Sequence, residues 1–283
     1  MWFLYASLGA LCIAGHYAFL KHFLRTEDKD VLAAAIFLSA ALLLFSFSWY
    51  RGFPHLHDGF WQILLIAVVF DIVAIALTYR ALEVADFSLV MPLLALTPIF
   101  LIATSWLLLG EIPTRRGVAG IVLIVVGAYI LGCQRHHTKR LRDPLIALAS
   151  HHGVRLMMLV ALIYSIGPNF NKLLVLRSDP MFGQAMASLF VGIAYSMRSV
   201  AKGNRMPSAS LVHIFLAASL LASSAILVNI AFTMTNVAYA ISVKRMSILF
   251  SILLGGVLFK EQISIRIVAG LIMIVGAVLI AFS

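Results

Sequence analysis

Ten stretches of largely apolar residues follow one another along this sequence, at 2–23, 31–50, 60–79, 87–109, 116–133, 156–176, 181–200, 211–233, 237–259 and 263–282. A helix rises ~1.5 Å per residue and the hydrocarbon core of a bilayer is ~30 Å thick, so about twenty apolar residues make one span. Ten spans use roughly 200 of the 283 residues and leave about nine for each connection. That excludes a large soluble domain, a cytoplasmic catalytic module and a long disordered tail. Composition agrees, because 63% of the residues are apolar and 11% charged, against about 45–50% and about 25% in soluble domains. Such a chain cannot cover its surface with polar side chains. The expected fold class is all-α integral membrane, with ten transmembrane helices.

The two halves echo each other. Leu108-Leu109-Gly110-Glu111, ahead of Arg116 and Val118-Ala119-Gly120, returns 150 residues later as Leu258-Phe259-Lys260-Glu261, ahead of Arg266 and Val268-Ala269-Gly270. A fainter echo links residues 15–21 (GHYAFLK) to 167–172 (GPNFNK). The longest break between apolar runs carries Arg135, Lys139, Arg140 and Arg142 beside four histidines. The organisation expected is a first five-helix repeat at 1–133, a basic inter-repeat loop at 134–153 and a second five-helix repeat at 154–283. Five is odd, so the second half enters the membrane from the opposite side, giving inverted repeats with a pseudo-two-fold axis in the membrane plane. That architecture favours transport, since a substrate held between the halves can be offered to each side in turn.

In a soluble protein the net charge of +10 would point to nucleic acid. Here the cations mark sides of a membrane. With ten spans, the face holding the termini receives four basic residues, Arg51, Arg115, Arg116 and Arg177. The opposite face receives fourteen, among them Lys21, Arg25, Arg80, Arg142, Arg198 and Lys202. The positive-inside rule puts the fourteen in the cytoplasm and both termini outside, the expected location being a bacterial inner (cytoplasmic) membrane. No nucleic-acid partner is expected. The first run starts at Trp2 without a basic residue before it and passes Phe19 without a small-residue cleavage site, so a removable signal peptide is not expected. Cys12 and Cys133 lie in or beside apolar runs and read as packing residues. The doublets His136-His137 and His151-His152 fit no zinc spacing and have basic neighbours. No metal and no cofactor are expected, and no phosphate loop, dinucleotide fingerprint or nucleophile elbow sits in a usable context.

Residues 88–131 (SLVMPLLALTPIFLIATSWLLLGEIPTRRGVAGIVLIVVGAYIL) carry a proline in the fourth helix, Pro98, a Gly-Glu at the helix end, Gly110-Glu111, and a glycine-spaced fifth helix with Gly120 and Gly127. In these marks the sequence resembles the repeat unit of the drug/metabolite transporter superfamily, in its EamA-like branch. Residues 242–280 repeat the pattern with Ile248 where Pro98 would align and Lys260 in place of Gly110. The resemblance covers essentially the whole chain. It implies the fold and a transport function, and it says little about substrate, because members carry amino acids, nucleotide sugars, sugar phosphates, polyamines and drugs.

A charge at the middle of a spanning helix costs at least about 2.5–3.5 kcal/mol, so each one needs a reason. Lys244 and Arg245 lie about a third of the way into the ninth run, and Lys244, Ser247 and Ser251 share a small polar stripe with Gly255 at helical spacing. Adjacent helical residues point ~100° apart, so the two cations can bracket one anion. An arginine fork and a mobile lysine charge together suit a phosphate or carboxylate. The pair is similar to the Lys-Arg of the ninth helix in plastid sugar-phosphate translocators, where it holds phosphate. The competing reading is that both side chains snorkel or pair with an internal acid. Lys172 closes a second stripe with Ser165 and Asn169, on a helix interrupted by Pro168. Asp71 is the one acid deep in an apolar run. It is either a proton-coupling site or the fixed counter-ion of Lys244, Arg245, Lys172 or Arg80. His16, with Tyr5 and Cys12, and Asn229, with Thr233 and Asn236, supply polar faces on the first and eighth helices; Gln184, Ser188 and Tyr195 do so on the seventh. Small residues such as Gly120, Gly127, Gly270 and Gly276 read as helix packing. Pro92 and Pro98 suggest a hinge in the fourth helix, and Glu111 and Glu261 are expected to cap the fifth and tenth helices, which they precede.

The reading reached is a secondary active transporter, not an enzyme, moving a small anionic metabolite, phosphorylated ones included, by alternating access. The substrate-binding candidates are Lys244, Arg245, Lys172, Asn169, Ser247, Ser251, Asn229 and His16, with Asp71 for coupling or as counter-ion. The alternatives are an exporter of amino acids or amphipathic drugs, for which Asp71 recognises an amine, and a flippase of a lipid-linked phosphate. The expected partners are the small anionic solute and the lipid bilayer, with homodimerisation left open.

Overall fold

A computed structural model describes residues 1–23, 27–85, 91–135, 151–204, 210–251, 253 and 267–283. Among the described residues there are ten α-helices: α1 (Trp2–Phe23), α2 (Lys29–Arg51), α3 (Phe60–Val84), α4 (Thr97–Leu109), α5 (Arg115–Arg135), α6 (His152–Arg177), α7 (Phe182–Ala201), α8 (Leu211–Phe232), α9 (Val237–Lys244) and α10 (Ile267–Ala281). A 3-10 helix, Met91–Leu96, leads into α4. Five of the helices are long and apolar enough to cross a membrane: α1, α2, α3, α6 and α8. Their outward faces carry large apolar side chains such as Leu42, Trp49, Leu65 and Val69, each at least half exposed. Water would not tolerate that surface, and a bilayer solvates it.

The helices follow the apolar runs closely, with two departures of physical interest. The fourth run is not one α-helix holding two prolines. Pro92 falls in the 3-10 segment and Pro98 in the first turn of α4, where its missing N–H removes no intrahelical bond. The ninth run does not continue as one helix either: α9 ends at Lys244, residues 245–246 form a turn, and 247–251 are again helical. The basic loop at 136–150 and the second-half residues from 254 to 266, Glu261 included, lie outside the described residues.

The chain divides into two compact units. One comprises Met1–Ile72 and Phe170–Met234. In it α1 packs on α8 and α2 on both α7 and α8. Its core is alanine-rich, with Ala40 of α2, Ala185 of α7 and Ala217, Ala218 and Ala222 of α8 letting backbones approach. Asp28 caps α2 by accepting from the N–H groups of Asp30 (2.9 Å) and Val31 (3.2 Å). Asp30 is 3% exposed and accepts from Arg198 Nε at 3.1 Å and from Lys202 Nζ, tying the start of α2 to the end of α7.

The other unit comprises Val73–Asn169 and Thr235–Ser283. Its closest pairing is α5 on α10. A Cβ at Gly120 would lie 2.6 Å from the Gly276 carbonyl oxygen, and one at Gly276 would lie 2.6 Å from that of Gly120. Only glycine at both positions lets these backbones meet. Ala81 of α3, Leu93 of the 3-10 segment and Val154, Met157 and Val160 of α6 form a second buried cluster, and α9 packs on α4 and α5.

Candidate functional site

Of the sequence candidates in the second unit, Lys244 ends the ninth helix, Arg245 follows at its C-cap, and Ser247 and Ser251 lie beyond the break. Asn236 precedes α9 in an extended conformation, and its own side chain makes no cap. The cap comes from elsewhere, since Glu111 Oε2 accepts from the Val237 N–H at 2.7 Å. The sequence placed Glu111 at the start of the fifth helix. The structure instead sends it across to the ninth, because Gly110 adopts a left-handed conformation (φ 69°) that ends α4 and turns the chain. Two residues on, the Tyr239 hydroxyl accepts from the Thr114 N–H at 2.8 Å and lies 3.3 Å from Thr114 Oγ1. Thr114 Oγ1 in turn accepts from the Gly117 N–H at 3.1 Å and so caps α5. Gly117 carries no side chain because the Tyr239 ring occupies the place of its Cβ.

At the other end of α9 the bonding tightens. The Arg245 N–H reaches both the Ile241 and Ser242 carbonyls, at 3.0 and 3.1 Å, and the Met246 N–H bonds to Val243 at 2.9 Å, three residues back instead of four. Lys244 and Arg245 are half-buried at this break, while Val237 to Val243 are all buried. The negative end of the helix dipole thus meets two cations, and the positive end meets the Glu111 carboxylate. Ser247 and Ser251 follow in the resumed helix, both half-buried, so the stripe expected on one continuous face is interrupted between Lys244 and Ser247.

Asn169, also in the second unit, is 0% exposed and its amide is heavily engaged. Ser105 Oγ donates to Asn169 Oδ1 at 2.9 Å, and Asn169 Nδ2 donates to Thr104 Oγ1 at 3.2 Å and to the Ser165 carbonyl at 2.9 Å. The Thr104 hydroxyl donates to the same carbonyl at 2.7 Å. One amide N–H thus ties α6 to α4 and the other returns to the carbonyl one turn back in α6, so both are engaged.

The remaining candidates belong to the first unit. His16 is buried with Nδ1 2.8 Å from the Ala217 carbonyl oxygen. A carbonyl only accepts, so Nδ1 is the donor of this bond. Asn229 Nδ2 donates to the Pro180 carbonyl at 3.1 Å and lies 3.4 Å from Gln184 Oε1, and Gln184 Nε2 reaches Ser188 Oγ at 3.3 Å. Asp71 on α3 and Lys172 on α6 flank a ring pair, Phe70 and Phe170, stacked at 5.7 Å with 17° between planes. The stack joins the two helices one residue from Asp71 and two from Lys172. None of the four charged side chains, Asp71, Lys172, Lys244 and Arg245, is without an interacting group.

The sequence model of the EamA-like transporter family matches residues 1–133 and 151–283. The chain belongs to that family. The EamA-like family is part of the drug/metabolite transporter superfamily, so this is an integral membrane protein of a transporter family. A solved structure described only as a crystal structure of a protein is similar over 99% of this chain and 96% of its own, with a TM-score of 0.80 at 14% identity. At that identity the likeness concerns the fold. No curated protein matches the sequence.

Within this EamA-like chain, sequence reading passed over Thr104, Ser105, Thr114 and Tyr239. Thr104-Ser105 is a polar doublet inside the fourth apolar run, a signal present in the sequence. Tyr239 gave none, since a tyrosine near a helix start in a membrane protein reads as an interfacial residue.

Proposed function

We propose that this protein is a secondary active transporter for a small anionic metabolite, phosphorylated or carboxylated, bound through Lys244 and Arg245. The observation that carries the reading is the half-buried Lys-Arg doublet at the break in α9. A continuous apolar helix has no use for two adjacent cations at this depth, whereas a broken one can present them to a solute. The guanidinium fork fixes the orientation of a planar or tetrahedral oxyanion, and the lysine follows its charge. Lys172 is proposed as a further anion-binding residue, with Asp71 as its counter-ion, in keeping with the helix register at the Phe70–Phe170 stack.

Alternating access between inverted five-helix repeats is part of the same proposal. Within the units the first helix pairs with the eighth, the third with the sixth, the second with the seventh, the fourth with the ninth and the fifth with the tenth. Exchanging the two halves maps this set of pairs onto itself, as repeats related by a two-fold axis require. The location proposed is a bacterial inner membrane with both termini outside.

A thermal-shift screen of detergent-purified protein against phosphorylated metabolites, dicarboxylates, amino acids and cationic amphiphiles tests the proposal, with Lys244→Ala and Arg245→Ala alongside. A ligand present at about 100 times its Kd stabilises the folded state by about 2.7 kcal/mol. One anion class should raise the melting temperature of the wild type and of neither variant. Stabilisation by amines alone, equal in all three proteins, would end the anion reading and turn attention to Asp71.

A further inference from the structure

The two cations sit at one end of an element too short to hold its own orientation. Helix α9 has 8 residues, and isolated helices shorter than ~12–15 residues are marginal. Non-α backbone bounds it on both sides, the turn at 233–236 before it and the turn at 245–246 after it. Five of its seven buried residues, Val237, Ala238, Ala240, Ile241 and Val243, are aliphatic, and apolar burial is non-directional. Small aliphatic side chains of this kind keep a helix in place without fixing its rotation. Directional restraints on its N-terminal half come from the bonds of Glu111 and Tyr239 described above, both made with the single loop that joins α4 to α5.

We infer that Glu111 and Tyr239 are positioning residues that fix the depth and axial rotation of α9 and thereby the direction in which Lys244 and Arg245 point. Glu111 holds the first N–H of the helix and sets its position along the axis. Tyr239 pins one face to Thr114, two residues into the helix. Each residue of a helix turns by ~100°, so a rotation of that size exchanges the directions of neighbouring side chains. Gly117 is part of the device, since it makes room for the phenol ring. The inference rests on the anion-site reading for its functional meaning, and its geometrical part is testable without any ligand.

The experiment has two arms, both on the full-length protein. In the first, Cys12 and Cys133 are replaced by serine, Lys244→Cys and Arg245→Cys are made singly, and their rates of reaction with a charged methanethiosulfonate are compared with and without Tyr239→Phe. Phenylalanine keeps the ring packed over Gly117 and removes only the hydroxyl bonds. The ratio of the two rates should change by about three- to tenfold, the size of one net hydrogen bond. A ratio that stays constant while both variants remain folded overturns the inference, whatever the substrate is. Glu111→Gln, which keeps an oxygen acceptor for the Val237 N–H, should move the ratio less than Glu111→Ala. Equal effects from the two would remove Glu111 from the role.

In the second arm, binding of inorganic phosphate, or of the anion found in the thermal-shift screen, is titrated. Tyr239→Phe should weaken it by about three- to tenfold in the wild-type background and not at all in Arg245→Gln. A loss of the same size in both backgrounds means that Tyr239 does not act through the cation pair, and the inference fails. A wild type that binds no anion while the thiol-rate ratio moves refutes the anion site and leaves the positioning role standing.

Discussion

Asp30 shows how single residues keep charge inside this molecule. Its carboxylate is almost fully buried, while Arg198 and Lys202 are about half exposed, with side chains 44% and 50% accessible. The acid therefore depends on the bases more than they depend on it. Asp30→Asn keeps the shape and loses the charge-assisted bonds, for an expected destabilisation of about 1–3 kcal/mol. Arg198→Ala and Lys202→Ala should each cost about 1 kcal/mol or less, because the partner remains and the lost cation was half in water. Removing both should cost more than the sum of the two, leaving the carboxylate buried and unpaired. Thermal unfolding in detergent reads the order, with about 2–4 °C expected per kcal/mol for a chain of this size. If Arg198→Ala lowers the midpoint as much as Asp30→Asn does, the bond to Lys202 is idle.

At the scale of elements, packing is decided by the glycines that face each other across α5 and α10. A Cβ at either position would lie far inside contact distance of the opposite carbonyl oxygen, a backbone atom that cannot swing aside. Gly120→Ala and Gly276→Ala should each destabilise by about 1–3 kcal/mol through forced separation of the backbones. Gly203, a left-handed glycine with open space around it, is the comparison. Gly203→Ala should cost no more than about 1–2 kcal/mol of local strain. Yields and melting temperatures of the three variants distinguish steric crowding from backbone strain, and a Gly120→Ala protein as stable as the wild type would show that the helices can part freely. The positions of these helices were legible in the sequence, because span length and apolarity are properties of consecutive residues. Their interruptions were not. A 3-10 turn at Met91–Leu96 and a break after Lys244 have the same hydropathy as an α-helix, and only Pro92 hinted at the first. Glu111 was readable as a capping acid but not as the cap of α9, since its partner Val237 is 126 residues away. The charged candidates stood out because cations and acids are rare in apolar runs. Tyr239 and the Thr104-Ser105-Asn169 knot did not, because their meaning lies in contacts between distant segments.

For the molecule as a whole, the question that packing leaves to electrostatics is which face meets the cytoplasm. Within the first unit the start of α2 and the end of α7 meet through Asp30, Arg198 and Lys202, and the Asn204 amide donates to Asp28 Oδ1 at 2.9 Å. The connections α1–α2 and α7–α8 therefore lie at one end. At the other end the His57 N–H bonds to the Arg177 carbonyl at 3.0 Å, joining the connections α2–α3 and α6–α7. Within the second unit Glu111 joins the connection α4–α5 to α8–α9. Every one of these meetings joins connections that ten alternating crossings would put on the same face. An uncounted or spurious span between α2 and α8 would have broken the agreement. The end bearing Arg198 and Lys202 also receives the basic segment 134–153 in this count, and Lys and Arg are retained on the cytoplasmic side. Reporter fusions at residue 145 and after Ser283 should therefore give opposite signals in a bacterial inner membrane, cytoplasmic at the first and periplasmic at the second. Replacing Arg135, Lys139, Arg140 and Arg142 by neutral residues should lower the share of molecules with the loop inside, as each removes part of the charge bias. Fusions reporting the same side would mean an even number of spans in the second half, and the inverted arrangement of the repeats would fall with the count.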